Sequence, residues 1–243
     1  MMSSTTETPA PAPPARPNPF ARLAGLVTSP ADTIRSIADR PDWLVPLLLI
    51  LVVSVVLNFV ALPRLDVESQ LRDQFGEQGM TEEQIDEAIE RMEAFRKFAA
   101  PITAISVVIS LLALTALYLL ISKIFGGEGT FKQFFAVTNY AWIPQMVKGI
   151  LVVLLLLRAG TISPERMGTL LKSNLGFLAD PEEQAMLFAV LSSIDVFNFA
   201  TLALMAIGYG QASRFGKEKG AVMVIATYVI WILVRVGFAA MRS

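Results

Sequence analysis

Lys148, Asp195 and Arg235 are ionisable residues set inside long apolar stretches, and with Asn58 they are where this chain could do chemistry. A charged side chain at the centre of a bilayer costs about 2.5–3.5 kcal/mol, so each of the three needs a partner or a water-filled route. One chemistry is an internal clamp, in which an acid and one or two bases satisfy each other and fix which helices pack together. Another is a path for an ion, a proton or a substrate; two bases against one acid then favour an anionic headgroup or ligand nearby. Arg235 can also snorkel its head to an interface. A third chemistry, intramembrane hydrolysis, would use Ser192 or Ser193 as nucleophile with Lys148 as base, because the chain has no histidine.

Composition removes most other chemistries. Cysteine and histidine are absent, which excludes disulfides, thiolate nucleophiles, Cys/His zinc sites, histidine bases and haem ligation. Net charge is -1 and no Gly-rich phosphate loop follows a strand-like run, so neither nucleic acid nor a nucleotide cofactor is expected. No catalytic, cofactor or metal site is read from the sequence. Hydrophobic residues make up 54% of the chain, which makes the bilayer the solvent that matters.

The elements that must position the polar residues are five apolar stretches, at residues 43–62, 101–124, 134–157, 186–209 and 219–240. Each reaches the ~20 residues that a helix needs to cross a ~30 Å hydrocarbon core. Counted from the same-side ends of their stretches at ~1.5 Å per residue, Lys148, Asp195, Arg235 and Asn58 share a depth of roughly 21–24 Å. Four of the five helices thus bring a polar group to one layer. Pro144 removes a backbone donor within the third stretch, and Asn139, Tyr140 or Gln145 is placed to cover the freed carbonyl.

The connections carry their own helix signals. Residues 1–19 hold six prolines and little apolar bulk, and read as a disordered tail without the apolar core of a signal peptide. Phe20, Leu23 and Val27 then recur at helical spacing, and Ser29-Pro30-Ala31-Asp32 opens a second short helix whose stripe of Ile34, Ile37 and Ala38 suits the membrane interface. Pro41 ends it and Trp43 anchors the first span. The loop at 63–100 holds ten acids, a capping box at Thr81 to Gln84, a staple between Met80 and Ile85, and a face of Ile85, Ile89, Met92 and Phe95. Its acids read as a solvated face, since no Ca²⁺-loop pattern is present. In the loop at 158–185, Ser163-Pro164 and Asp180-Pro181 open two further helices, the second running into the fourth span. Gly126-Gly127-Glu128-Gly129 and the segment around Gly216 join the second to the third and the fourth to the fifth spans as tight helical hairpins. Lys and Arg divide evenly between the two sides, but those of the N-terminal side crowd the short connectors, where they orient a chain. That places the N-terminus in the cytoplasm.

Several of these runs resemble bacterial members of the YIP1 family: Ser29-Pro30 before the first span, Pro41-Asp42-Trp43-Leu44-Val45-Pro46 at its start, and Asn139-Tyr140-Ala141-Trp142-Ile143-Pro144 in the third. Ile194-Asp195-Val196-Phe197 followed by Ala206-Ile207-Gly208-Tyr209-Gly210 is similar to that family's Asp-Phe and Ile-Gly pattern. The resemblance covers about residues 20–240. It implies an all-α, polytopic five-helix membrane domain over 20–243 with no assigned catalytic chemistry. Eukaryotic relatives act in vesicle traffic with small Rab-type GTPases, but the Asp-Leu-Tyr-Gly-Pro motif they carry is missing here, which argues against a Rab-type partner. The resulting expectation is a non-enzymatic scaffold or accessory factor of the bacterial inner membrane, in contact with lipid and with a protein partner or a second copy. A small transporter or channel subunit using the polar layer is the alternative.

Overall fold

The computed structural model describes residues 18–241, and the Pro-rich tail up to residue 17 lies outside them. The first described element is α1 (Pro19–Thr28), opened by Asn18, whose side chain accepts from the Phe20 N–H, with Pro19 at the first helical position. Ser29 and Pro30 then restart the chain as α2 (Pro30–Asp39). Its stripe of Ile34, Ile37 and Ala38 is the expected one, but it is completely buried against Phe134, Tyr140 and Tyr209. The correction is physical: a helix with a narrow apolar stripe can be covered by protein as well as by lipid, and here the bundle covers it. The face that lipid can reach belongs to α1, where Phe20 and Val27 are exposed while Leu23 packs inward.

The first span is α3 (Leu44–Ala61), followed by a hairpin of α4 (Val67–Glu77) and α5 (Glu82–Phe95). The α5 capping box is formed by Thr81 and Gln84, and Ile85 is buried beneath α4. Arg72 on α4 ties the hairpin through Glu68, Glu82 and Asp86, at 3.0, 3.4 and 2.8 Å. The sequence reading missed α4, whose own N-cap is Asp66. α5 runs through one 3₁₀ turn into α6 (Ala99–Ile124), a helical run of 43 residues from Glu82. The lower part of the expected apolar face, Met92 and Phe95, stays exposed.

The second hairpin turns at Gly126, whose φ of 81° is the left-handed backbone that glycine adopts without strain. The chain then enters α7 (Phe131–Ala141) and α8 (Ile143–Ala159), one continuous membrane-length run interrupted at Trp142. None of the three side chains expected over the carbonyl freed by Pro144 lies there. Asn139 donates to Phe135 O at 2.7 Å, Tyr140 to Asp42 at 3.2 Å and Gln145 to Asn198 at 2.9 Å, while the Trp142 N–H turns back to Tyr140 O. The loop that follows forms a 3₁₀ turn at Pro164–Thr169, where a short helix was expected, and another at Leu175–Leu178; Asp180 caps a turn through the Glu182 and Glu183 N–H groups, and the helix expected to run on from it begins at Ala185. A bridge pairs its Ile162 with Leu65 of the other long loop.

The fourth apolar stretch is where the structure departs furthest from the sequence reading. It is two helices, α9 (Ala185–Leu191) and α10 (Val196–Ala212), separated by Ser192, Ser193, Ile194 and Asp195. Short polar side chains compete for backbone hydrogen bonds, so a helix can end and restart there even inside an apolar run. The last span is α11 (Lys217–Ala240). Among the described residues four helical runs are thus long and apolar enough to cross a membrane, and α10 is a shorter apolar fifth. α10 is also the centre of the bundle, packed by α2, α7, α8 and α11. Two glycines let it be so. A Cβ on Gly208 would lie 2.5 Å from a Val137 methyl, and one on Gly220 of α11 would lie 2.7 Å from the Ala206 carbonyl.

Candidate functional site

The break before α10 puts Asp195 at a helix N-terminus, where its carboxylate is the cap. Oδ1 accepts from the backbone N–H groups of Phe197 at 2.8 Å and Asn198 at 3.1 Å. Oδ2 accepts from Ser173 Oγ at 2.6 Å and forms an ion pair with Lys148 Nζ at 2.9 Å. Four donors and the positive end of the α10 dipole therefore surround a carboxylate whose side chain is 0% exposed; Lys148 remains 24% exposed. Ser173 reaches it because the preceding loop folds across the break. The N–H of Val196 donates to Ser173 O at 3.1 Å and that of Leu175 to Ile194 O at 3.2 Å, a two-residue antiparallel bridge between loop and helix end.

Beside this pair runs a second polar chain. Gln145 on α8 donates to Asn198 Oδ1 at 2.9 Å and Thr201 Oγ1 at 3.2 Å, and Asn198 in turn donates to Tyr228 on α11 at 2.9 Å. Tyr228 donates to Ser193 O at 2.7 Å. Three helices are thus sewn together around the break. Gln145, Asn198 and Tyr228 were not singled out with the polar layer, although an amide pair and a phenol on facing spans are the signal that could have marked them.

Of the four residues expected in one layer, the structure brings Lys148 and Asp195 into contact. Arg235 is a neighbour that pairs with neither: it donates to Ser193 Oγ at 2.9 Å and Ser192 Oγ at 3.2 Å. Asn58, half-buried on α3, makes none of the side-chain contacts of this cluster. The serine hydroxyls therefore face Arg235 and Lys148 faces Asp195, so the Ser–Lys contact that a hydrolase would use is not formed.

The opposite end of the bundle holds a cluster that the sequence reading did not single out. Arg22 of α1 is 5% exposed, and its guanidinium pairs with Asp42 and donates to Arg40 O at 2.9 Å and Ser36 O at 3.2 Å. Asp42 also accepts from Tyr140 at 3.2 Å, and Gln133 donates to Ala38 O at 3.0 Å. Between the two ends, Thr138 bridges Thr115 and Tyr209, each at 2.8 Å. No group of three or more acids that could hold a metal ion occurs among the described residues.

Comparison with known proteins gives the same architecture a wider setting. The family model described as the Yip1 domain matches residues 24–239. The chain is also similar to the membrane protein YknW of Bacillus subtilis (strain 168), with 25% identity over 211 residues that make up 87% of this chain and 87% of that protein. No solved structure matches it.

Proposed function

Because the chain belongs to the Yip1 domain family, we propose that it works in the membrane as a non-enzymatic scaffold or accessory factor, with its intramembrane charges as internal ties. The observation that carries this reading is the saturation of Asp195. A carboxylate that is 0% exposed and already holds two backbone N–H groups, a hydroxyl and an ammonium is built to stay where it is, whereas a transport site must exchange partners. Lipid surrounds the bundle, and a protein partner or a second copy completes the working unit. A Rab-type GTPase is not part of the proposal.

The test is reconstitution of the purified chain in liposomes beside an Asp195→Asn variant. A scaffold gives no proton or solute flux in either case, and the variant loses thermal stability. Flux in the wild type that disappears in the variant while its melting temperature is kept would establish the transporter reading in its place. Pull-down from native membranes then identifies a stable partner.

The proposed setting is the inner membrane, with the N-terminus in the cytoplasm. Dense Lys and Arg in the short connectors support it. Because the chain has no cysteine, single cysteines at Gln78 and Glu218 can be read without background. Both residues are exposed. Gln78→Cys should label from outside in intact cells and Glu218→Cys only after the membrane is opened; the reverse pattern would overturn the orientation.

A further inference from the structure

At the end of the bundle away from Asp195, a cleft of about 820 Å³ opens between the start of α1, the α2–α3 connection and α7. Its polar wall is strongly basic. Arg40 and Lys132 line it, both are exposed, and neither has an ion-pair partner among the described residues. Arg22 forms the floor, 5% exposed, with its Nε buried and without a hydrogen-bond partner. The acid in the cleft, Asp42, is already occupied: one oxygen pairs with Arg22 and the other accepts from Tyr140. Arg22 and Asp42 cancel, which leaves the two charges of Arg40 and Lys132.

The first turn of α3 opens into the same cleft, with Leu44 and Val45 in its lining. Trp43, the N-cap residue of α3, makes no side-chain cap, so the N–H groups of Leu44 and Val45 have no partner among the described residues, and the positive end of the helix dipole adds to the field of the two bases. A basic cleft with free N–H groups recognises a phosphate. What distinguishes a lipid phosphate from a free one is the surface that leads away from it. Leu44, Leu48 and Val52 are exposed at i, i+4 and i+8, an apolar stripe that starts in the cleft and runs down a membrane-spanning helix, the path an acyl chain takes.

We propose that this cleft binds the headgroup phosphate of an anionic phospholipid, held by Arg40, Lys132 and the first turn of α3, with an acyl chain along the Leu44–Leu48–Val52 stripe. The inference needs only that the bundle is embedded in a bilayer, and stands whether the protein acts as scaffold or transporter.

The test uses the full chain in nanodiscs that mix phosphatidylglycerol with phosphatidylcholine, with co-purifying lipid counted by native mass spectrometry. The wild type should retain phosphatidylglycerol preferentially. Each base near a membrane surface is worth about a fivefold change in binding, so Arg40→Gln with Lys132→Gln should reduce the preference about 20- to 30-fold. Both side chains are exposed and unpaired, so the double variant should melt like the wild type in phosphatidylcholine alone, which separates lost binding from lost folding. Arg35→Gln, which removes an exposed charge paired with Asp32 outside the cleft, should keep the preference. Equal retention of the two lipids by the wild type would overturn the proposal, as would the same loss with Arg35→Gln, since bulk surface charge would then be responsible. Displacement of the lipid by millimolar inorganic phosphate would overturn the lipid assignment and make the cleft a site for soluble phosphate.

Discussion

Two acid–base pairs stand at opposite ends of the bundle, separated by α10, whose length at ~1.5 Å per residue is about 25 Å, and they are built the opposite way round. At the Asp195 end the acid is fully buried and its base is 24% exposed. At the Arg22 end the base is 5% exposed and its acid 33%. The buried member in each case holds more of the additional hydrogen bonds: two backbone N–H groups and a hydroxyl for Asp195, and two backbone carbonyls for Arg22 against the single Tyr140 hydroxyl on Asp42. A buried charge is sustained by all of its partners together, whereas the exposed member can turn to water when its partner is removed.

The largest effect should come from Asp195→Ala, which removes the α10 cap and strands Ser173 and Lys148, at a loss of about 3–5 kcal/mol. Asp195→Asn keeps a side chain able to cap and should cost about half as much. Lys148→Met should restore much of that loss in the double variant, while Arg235→Met, on its own serines, should add independently. Thermal melts in nanodiscs measure all of these. Rescue by Arg235→Met in place of Lys148→Met would break the pairing on which the comparison rests.

Arg22→Met comes next, at about 2–4 kcal/mol, because it leaves Asp42 unpaired near two orphaned carbonyls. It should also release α1 to protease, and that local readout sharpens the contrast with Asp195, whose loss acts on the whole bundle. Gly208→Ala tests the helix between the two pairs. The added methyl meets Val137 at 2.5 Å and should cost about 1–3 kcal/mol, with both ends loosened together.

The smallest effect concerns the loop at the Asp195 end. The backbone N–H groups of Glu182 and Glu183 hold the exposed Asp180 carboxyl below the usual carboxylate range. A depressed folded value means that the contribution of this turn is complete above about pH 4, the unfolded value, and fades as pH falls through the lower folded one. Proteolysis of the loop by an acid protease should therefore rise at the lowest pH in the wild type and change less in Asp180→Ala.

The difference between the two ends is also a difference in what a sequence displays. Asp195 and Lys148 were visible because ionisable residues are rare in apolar stretches, and the same contrast revealed the spans. Arg22 sits among mixed residues before the first span, where an arginine is ordinary, and only the packing of α1 against α2 turns it inward. The break at Ser192 to Asp195 was hidden by the hydropathy that revealed the stretch, since an average over such a window overrides two serines and an aspartate. The local signal was Asp195 itself, an N-cap residue type just after two serines, although the Val196-Phe197-Asn198-Phe199 run that follows is no strong helix former. The stripe of α2 was legible from spacing, but what covers it was not, since spacing is silent about the neighbour.

The shortness of α10 has a mechanical consequence for the bilayer. Its 17 residues rise about 25 Å, against a hydrocarbon thickness of ~30 Å, and α9 does not continue it as a straight rod. The neighbouring runs are long enough to span without help, and α10, packed by α2, α7, α8 and α11, shows its exposed face chiefly near its N-terminal end at Val196, Phe199 and Ala203, so the shortfall is confined to that face. There the hydrocarbon must dimple by a few ångströms, or headgroups and water must follow the loop down towards Ser173. A bilayer that follows this face is thinner there than along the longer runs, and a neighbour with an equally short span would meet the smallest elastic penalty beside it.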